Sequence, residues 1–223
     1  MVIPVKLELN GVGKNMFKKK AVKEKKYCIL LSGAPLCGKD SSADYLVKHY
    51  GFQKCELKSP MYGVVASLFN LESFSYFTDR KLKEKKIKQW DMSPREMLQH
   101  VGYEMKRIFG GDIWCKNLLS RIGVDKNIVI PDNRYGDENE FFKQHFEVIS
   151  IRINRKGCDG SKVGIKNFIS EKNEFPTDYV IENHTKDFKD LYQKIDTYIM
   201  GNGIEKTFEE KEYDLDETLN KKK

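Results

Sequence analysis

Three groups of residues in this chain have the types and spacing that phosphate chemistry needs. The first is Gly33-Ala34-Pro35-Leu36-Cys37-Gly38-Lys39, a G-x-x-x-x-G-K run. Gly33 and Gly38 permit backbone dihedrals closed to other residues, so successive N–H groups can turn inward onto phosphate oxygens. The N-terminus of a following helix adds partial positive charge, and Lys39 is a point charge able to reach the outer phosphates. The pattern predicts a nucleoside triphosphate site. Asp40 stands where Ser or Thr usually follows the lysine, with Ser41 and Ser42 next. A carboxylate beside a triphosphate repels it unless a cation intervenes. Asp40 is therefore expected either to act through Mg²⁺ or its waters, or to face away and cap the helix. Ser41 is then the hydroxyl for the metal. Cys37 reads either as a thiol activated by an electropositive loop or as a spacer.

The second group is helical. Ser93-Pro94-Arg95-Glu96 has a capping serine, a proline at the first helical position and the glutamate of a capping box. Met97, Leu98, Val101, Met105 and Ile108 form its apolar stripe, while Arg95, Gln99, Gly102 and Lys106 share another face. Arg suits bidentate contact with phosphate and Gln suits a base edge, although such a face can equally be solvated. Arg107 and Trp114 can likewise be read as a surface charge and a core aromatic. The third group closes an apolar run: Ile128-Val129-Ile130-Pro131-Asp132-Asn133-Arg134. An acid at such a strand end can hold Mg²⁺ waters or orient an attacking oxygen, and Arg134 can offset charge on a transferred phosphoryl group. A structural Asp–Arg pair is the alternative. Arg152, Arg155 and Lys156 follow a further strand, as a mobile basic lid or an exposed basic turn.

These groups need a scaffold, and the apolar patterning predicts one. Strands are expected at 27–31, 53–57, 128–131, 148–153 and 179–182, with helices starting near Lys39, Pro60, Pro94, Asp137 and Asp187. Such alternation implies an α/β fold, a mostly parallel five-stranded sheet with helices on both faces. Ligands then bind beyond the carboxyl ends of the strands, which gathers the loops after Leu31, Leu57 and Pro131 around one cleft.

Composition narrows the reading further. The chain of 223 residues carries a net charge of +7, from 40 basic and 33 acidic residues. Residues 1–26 hold eight lysines against Glu8 and Glu24, and Arg80–Gln89 holds six basic residues against Glu84. Without interleaved aromatics both runs read as solvated surface, so nucleic acid is not expected as a partner. Five scattered cysteines, with no C-x-x-C pair and no metal spacing with the four histidines, suggest a reducing compartment and no zinc site. No stretch is long and apolar enough for a membrane span or signal peptide, so a cytoplasmic location is expected. Residues 1–26 are expected to form a flexible extension, 27–200 the domain, and 201–223 a charged disordered tail.

Taken together, the chain resembles the phage-type deoxynucleoside monophosphate kinases of the P-loop nucleoside monophosphate kinase superfamily, between about Tyr27 and Ile199. The matching segments are L-S-G-A-P-L-C-G-K-D-S-S-A-D (31–44), S-P-R-E-M-L-Q-H-V-G-Y-E (93–104), D-I-W (112–114), P-D-N-R-Y-G-D-E (131–138), I-S-E (169–171) and D-Y-V-I-E-N (178–183). The resemblance implies a helical acceptor-binding region over about 58–116 and a small basic lid over about 154–172. It implies ATP phosphates on Gly33, Cys37, Gly38, Lys39, Asp40 and Ser41, with Mg²⁺ near Ser41 and Asp40 and with Asn183 at the adenine. Lys58, Arg95, Gln99, Arg107 and Trp114 would border the acceptor. Lys39, Asp132, Arg134 and Arg155 would serve transfer. The expected reaction is dNMP + ATP = dNDP + ADP, which supplies DNA precursors, in the host cytoplasm if the source is viral. A homodimer is left open. The alternatives are a kinase of ribonucleotides or of another small phosphorylated metabolite, and a nucleotide-binding module without turnover. Residues 74–91 have no counterpart in the family pattern.

Overall fold

The computed structural model describes residues 26–158, 175–184 and 187–207. Its centre is a parallel five-stranded sheet of order β2-β3-β1-β4-β5. The strands are β1 (Tyr27–Ser32), β2 (Gln53–Lys54), β3 (Ile128–Ile130), β4 (Glu147–Asn154) and β5 (Tyr179–Glu182). In the middle strand β1, Ile29 and Leu31 face one layer of helices while Cys28 and Leu30 face the other, so successive residues fill two separate cores. This is why the strand reads as a continuous apolar run rather than an alternating one.

The first layer holds α1 (Lys39–Tyr50) and α8 (Phe188–Gly201). Their Ala43, Leu46, Leu191, Ile195 and Ile199 pack against Ile149, Ile151 and Ile153 of β4. The second layer holds α2 (Ser59–Leu68), α5 (Pro94–Phe109), α6 (Ile113–Ile122) and α7 (Gly136–Lys143), packed through residues such as Val65, Met97, Cys115 and Phe142. Two short helices, α3 (Ser75–Thr78) and α4 (Arg80–Glu84), join α2 to α5. The expected fold class is therefore the one observed, a P-loop kinase sheet with helices on both faces and a helical block between β2 and β3.

The differences from expectation have local causes. Strand β2 stops at Lys54 because the N–H groups of Leu57 and Lys58 turn to the Asp132 carboxylate instead of a neighbouring strand. Strand β3 stops before Pro131, which has no N–H to give a ladder. Ile108, assigned by periodicity to the apolar stripe of its helix, is 58% exposed. The buried face of α1 runs through Ala43, Leu46 and Tyr50 and also takes in Tyr45 and His49. The chain beyond Gly201 also continues to pack: Ile204 is buried, and the Thr207 N–H donates to the His49 carbonyl. Residues 201–207 thus belong to the folded body, whereas the expected extension over 1–25 and the tail over 208–223 lie outside the described residues.

Candidate active site

The glycine loop leaves the carboxyl end of β1 and enters α1. Gly33 has φ +131° and Gly38 φ +117°, a region that L side chains rarely adopt. A Cβ on Gly33 would also collide with the Ile153 carbonyl, and one on Gly38 would lie 2.9 Å from Asn183 Nδ2. Leu36, at φ 67°, shares the left-handed backbone, so the loop is wound tightly at three points. Lys39 folds back over this loop. Its ammonium donates to the Gly33 and Ala34 carbonyls, both at 2.7 Å, and lies 3.7 Å from Cys37 Sγ.

Asn183 Nδ2 donates to the Cys37 carbonyl at 2.7 Å, and the side chain is buried beneath the loop. Its amide thus holds the phosphate loop from beneath, a role that the resemblance, which puts Asn183 at the adenine, did not give it. The Cys37 thiol is fully buried, and burial pushes its pKa up against the opposing pull of Lys39. A raised thiol makes Cys37 a spacer of the loop rather than a nucleophile. Asp40 does not cap α1, whose N-cap is Gly38. Its carboxylate is exposed and lies 3.7 Å from Lys54 Nζ. Ser41 is half-buried in the first turn, while the Ser42 hydroxyl donates to the Gly38 carbonyl.

Two cavities lie beyond the carboxyl ends of the strands, one of them touching this loop. One, of about 430 Å³, is lined by Ala34 of the loop, Asn154, Arg155 and Lys156 after β4, and His184 after β5. Arg155 thus shares a cavity with Ala34 of the loop, and residues 159–172 of the expected lid are outside the described ones. Arg152 is not part of any lid. It lies within β4, with its guanidinium carbon 5.3 Å from the Phe175 ring centroid.

The other cavity is narrower, about 90 Å³, and opens beyond the ends of β2 and β3. Lys58, Arg95, Gln99, Trp114, Asp132 and Arg134, all singled out in the sequence, line it together. Trp114 Nε1 donates to the Gly102 carbonyl, which fixes the indole edge-on to α5. Gln99 Nε2 is buried with no hydrogen-bond partner among the described residues. Asp132 accepts the Leu57 N–H on Oδ1 and the Lys58 N–H on Oδ2, each at 3.0 Å. The acid is thus committed to shaping the loop after β2, with Lys58 Nζ 4.0 Å away. Burial alone would lower the Lys58 pKa, but Asp132, Tyr62 and Glu56 outweigh it and hold the ammonium charged. Arg134 is set by Glu138, whose Oε2 accepts the Arg134 N–H at 2.8 Å.

Arg107 is not brought here. Its side chain is exposed and paired with Glu104 at 2.7 Å. Its neighbour Lys106 lines the cavity instead, 3.2 Å from the buried Glu138 carboxylate and 3.8 Å from the Tyr135 ring centroid. The signal was in the periodicity: Lys106 shares a helical face with Arg95, Gln99 and Gly102, and Arg107 is rotated about 100° from it. Lys83 of α4 also lines the cavity, and no sequence signal marked it. Burial and the cations of Arg95, Lys58 and Arg134 press its pKa down to about 8. Tyr62, beneath it, is pushed up to about 12, chiefly by burial.

Among the described residues no three His, Cys, Asp or Glu side chains converge as a metal cluster. No helix among them is long and apolar enough to cross a membrane.

No protein-family model matches the chain. A protein of Acanthamoeba polyphaga mimivirus described as a "putative deoxynucleotide monophosphate kinase" is 27% identical over 143 residues, 57% of this chain and 73% of that protein. The relative is thus mimiviral rather than from a phage. Among solved structures, a shikimate kinase from Aquifex aeolicus aligns with 14% identity and a TM-score of 0.41 over 79% of this chain and 98% of its own. A shikimate kinase from Acinetobacter baumannii aligns with 17% identity and a TM-score of 0.40 over 83% of this chain and 99% of its own. A sugar kinase from Janibacter gives 10% identity and a TM-score of 0.40 over 81% and 98%. The glycine loop, the strand order and the mimiviral relative support a protein of the P-loop nucleoside monophosphate kinase type.

Proposed function

We propose that the protein transfers the γ-phosphoryl group of ATP to a deoxynucleoside 5′-monophosphate. The observation that carries this reading is a pair of cavities, one touching the phosphate loop and one joining the cations Lys58, Arg95, Lys106 and Arg134 to Gln99 Nε2, which is buried with no partner among the described residues. A donor nucleotide needs the loop and the wider cavity. An acceptor with an anionic end and a hydrogen-bonding base needs the other. A nucleotide-binding module without turnover requires neither the second cavity nor its charge. The deoxy sugar follows the description of the mimiviral relative.

In this reading Lys39 exchanges its bonds to the Gly33 and Ala34 carbonyls for phosphate oxygens, and the loop N–H groups close around them. Ser41 is the residue that fits Mg²⁺, since this ion keeps several waters and takes few protein ligands beside phosphates. When bound, the ion offsets charge on the β- and γ-oxygens. Asp40, whose carboxylate lies 3.7 Å from Lys54 Nζ, would hold the metal through water. Arg134 and Arg155 offset charge on the transferred group from the acceptor and donor sides respectively. Asp132 acts through the backbone it holds at Leu57 and Lys58.

The test is ADP formation from ATP and Mg²⁺ with dAMP, dGMP, dCMP, dTMP and the four ribonucleotides. Activity confined to deoxy acceptors is the expected result. Activity with ribonucleotides alone moves the acceptor class. No ADP from any of them, with ATP still bound, overturns the reading.

A further inference from the structure

Helix α4 lies in the basic stretch whose composition reads as solvated surface, and one of its lysines faces inward. Lys83 is half-buried at the acceptor cavity, with its ammonium 5.7 Å from the centroid of the Tyr62 ring. Around it stand Lys58 and Tyr62 from the start of α2, Arg95 from α5 and Arg134 from the turn after β3. The carboxylates nearby are already engaged. Glu84 Oε1 takes Arg95, Glu56 takes Lys58 at 3.1 Å, Glu138 takes Lys106 at 3.2 Å, and both Asp132 oxygens accept backbone N–H groups. Asp79 is turned to the helix end, where it accepts the Leu82 N–H.

Five cations, Lys58, Lys83, Arg95, Lys106 and Arg134, line this one small cavity against two carboxylates, Asp132 and Glu138, so its field favours an entering anion. We infer that Lys83 is a binding residue for the phosphate of the acceptor, delivered by α4 to complete a cage with Lys58, Arg95 and Arg134. The inference rests on the reading that this cavity takes a phosphomonoester. It concerns residues 74–91, where the chain has no counterpart in the family pattern.

A pH dependence follows from the same arrangement. In the free protein burial and the neighbouring cations hold the Lys83 pKa near 8. A phosphate dianion raises it, so above pH 8 binding must take up a proton and affinity falls as pH rises. Below about pH 6 the phosphate itself becomes a monoanion, which sets the acid limb.

The experiment follows the tryptophan fluorescence of the full-length protein on titration with dAMP, dGMP, dCMP and dTMP, and then with the nucleoside of the tightest binder. Wild type, Lys83→Met, Lys83→Arg and Lys85→Met are compared between pH 6.5 and 9.5. Lys83→Met is expected to weaken the nucleotide at least tenfold at pH 7 and to leave the nucleoside unchanged. Lys85→Met, on the exposed neighbour, should stay within twofold. Lys83→Arg should keep the affinity and lose the decline above pH 8. Equal nucleotide affinity in wild type and Lys83→Met overturns this assignment alone. Failure of wild type to bind any monophosphate overturns the acceptor reading, and this inference with it.

Discussion

Arg95 gives two guanidinium nitrogens, Nε and Nη2, to a single oxygen of Glu84, each at 2.6 Å. The pair joins α4 to α5 across the mouth of the acceptor cavity and fixes the direction from which Arg95 approaches it. A charge-assisted hydrogen bond to phosphate contributes roughly 1.5–3 kcal/mol. Arg95→Ala is therefore expected to raise the acceptor KM about 10- to 100-fold while the ATP KM stays within twofold. Steady-state kinetics with each substrate varied in turn checks it, and an unchanged acceptor KM makes α5 purely structural.

Among the described residues Lys39 bonds to the Gly33 and Ala34 carbonyls of its own loop and approaches one thiol. Lys39→Ala should therefore fold normally and lose at least ~100-fold in kcat, one transition-state contact worth about 3 kcal/mol. Turnover within tenfold of wild type, with an unaltered thermal transition, removes Lys39 from transfer.

Gln99 Nε2 is buried with no hydrogen-bond partner among the described residues. Removing an unsatisfied buried amide recovers roughly 1–3 kcal/mol of desolvation cost. Gln99→Leu should then raise the Tm of the free protein while increasing the acceptor KM about tenfold, the two moving in opposite directions. A fall in Tm without any change in KM would make Gln99 a packing residue.

Asn183 distinguishes loop support from base contact. If its bond to the Cys37 carbonyl is what matters, Asn183→Ala raises the KM for ATP and for GTP by the same factor and lowers stability by about 1 kcal/mol. A change confined to ATP would restore a contact with adenine.

The parts of this molecule legible in its sequence are those that one continuous segment determines. The turn from β1 through Gly33 and Gly38 into α1 needs nothing beyond its own residues, nor does the capping box at Ser93 and Glu96. Strands β1, β3, β4 and β5 were readable as mostly apolar runs between turns, whereas β2 is only the polar pair Gln53-Lys54. What escaped depends on partners distant in the chain. Lys83 and Lys85 belong to the same basic run, and only the packing of α4 against α2 and α5 turns the first inward. Asn183 was drawn to a nucleotide by its segment, yet the nearest acceptor is the carbonyl of Cys37, 146 positions away. Asp132 was legible as a polar strand end, but not as the partner of two N–H groups of the β2–α2 loop. Arg107 and Lys106 differ by one step of helical rotation, so the error there lay in choosing arginine chemistry over the face already identified.

The two bonds made by Asp132 have a consequence for what substitutions the chain can accept. Each oxygen takes one of two consecutive amide N–H groups, so the side chain works as a clasp with two identical jaws. Asparagine, its nearest isostere, has one jaw of the wrong polarity and would set N–H against N–H. Lys58 and Arg134, contributed by different strand ends, are thereby locked into one block, and a change of a single atom at position 132 would let them drift apart.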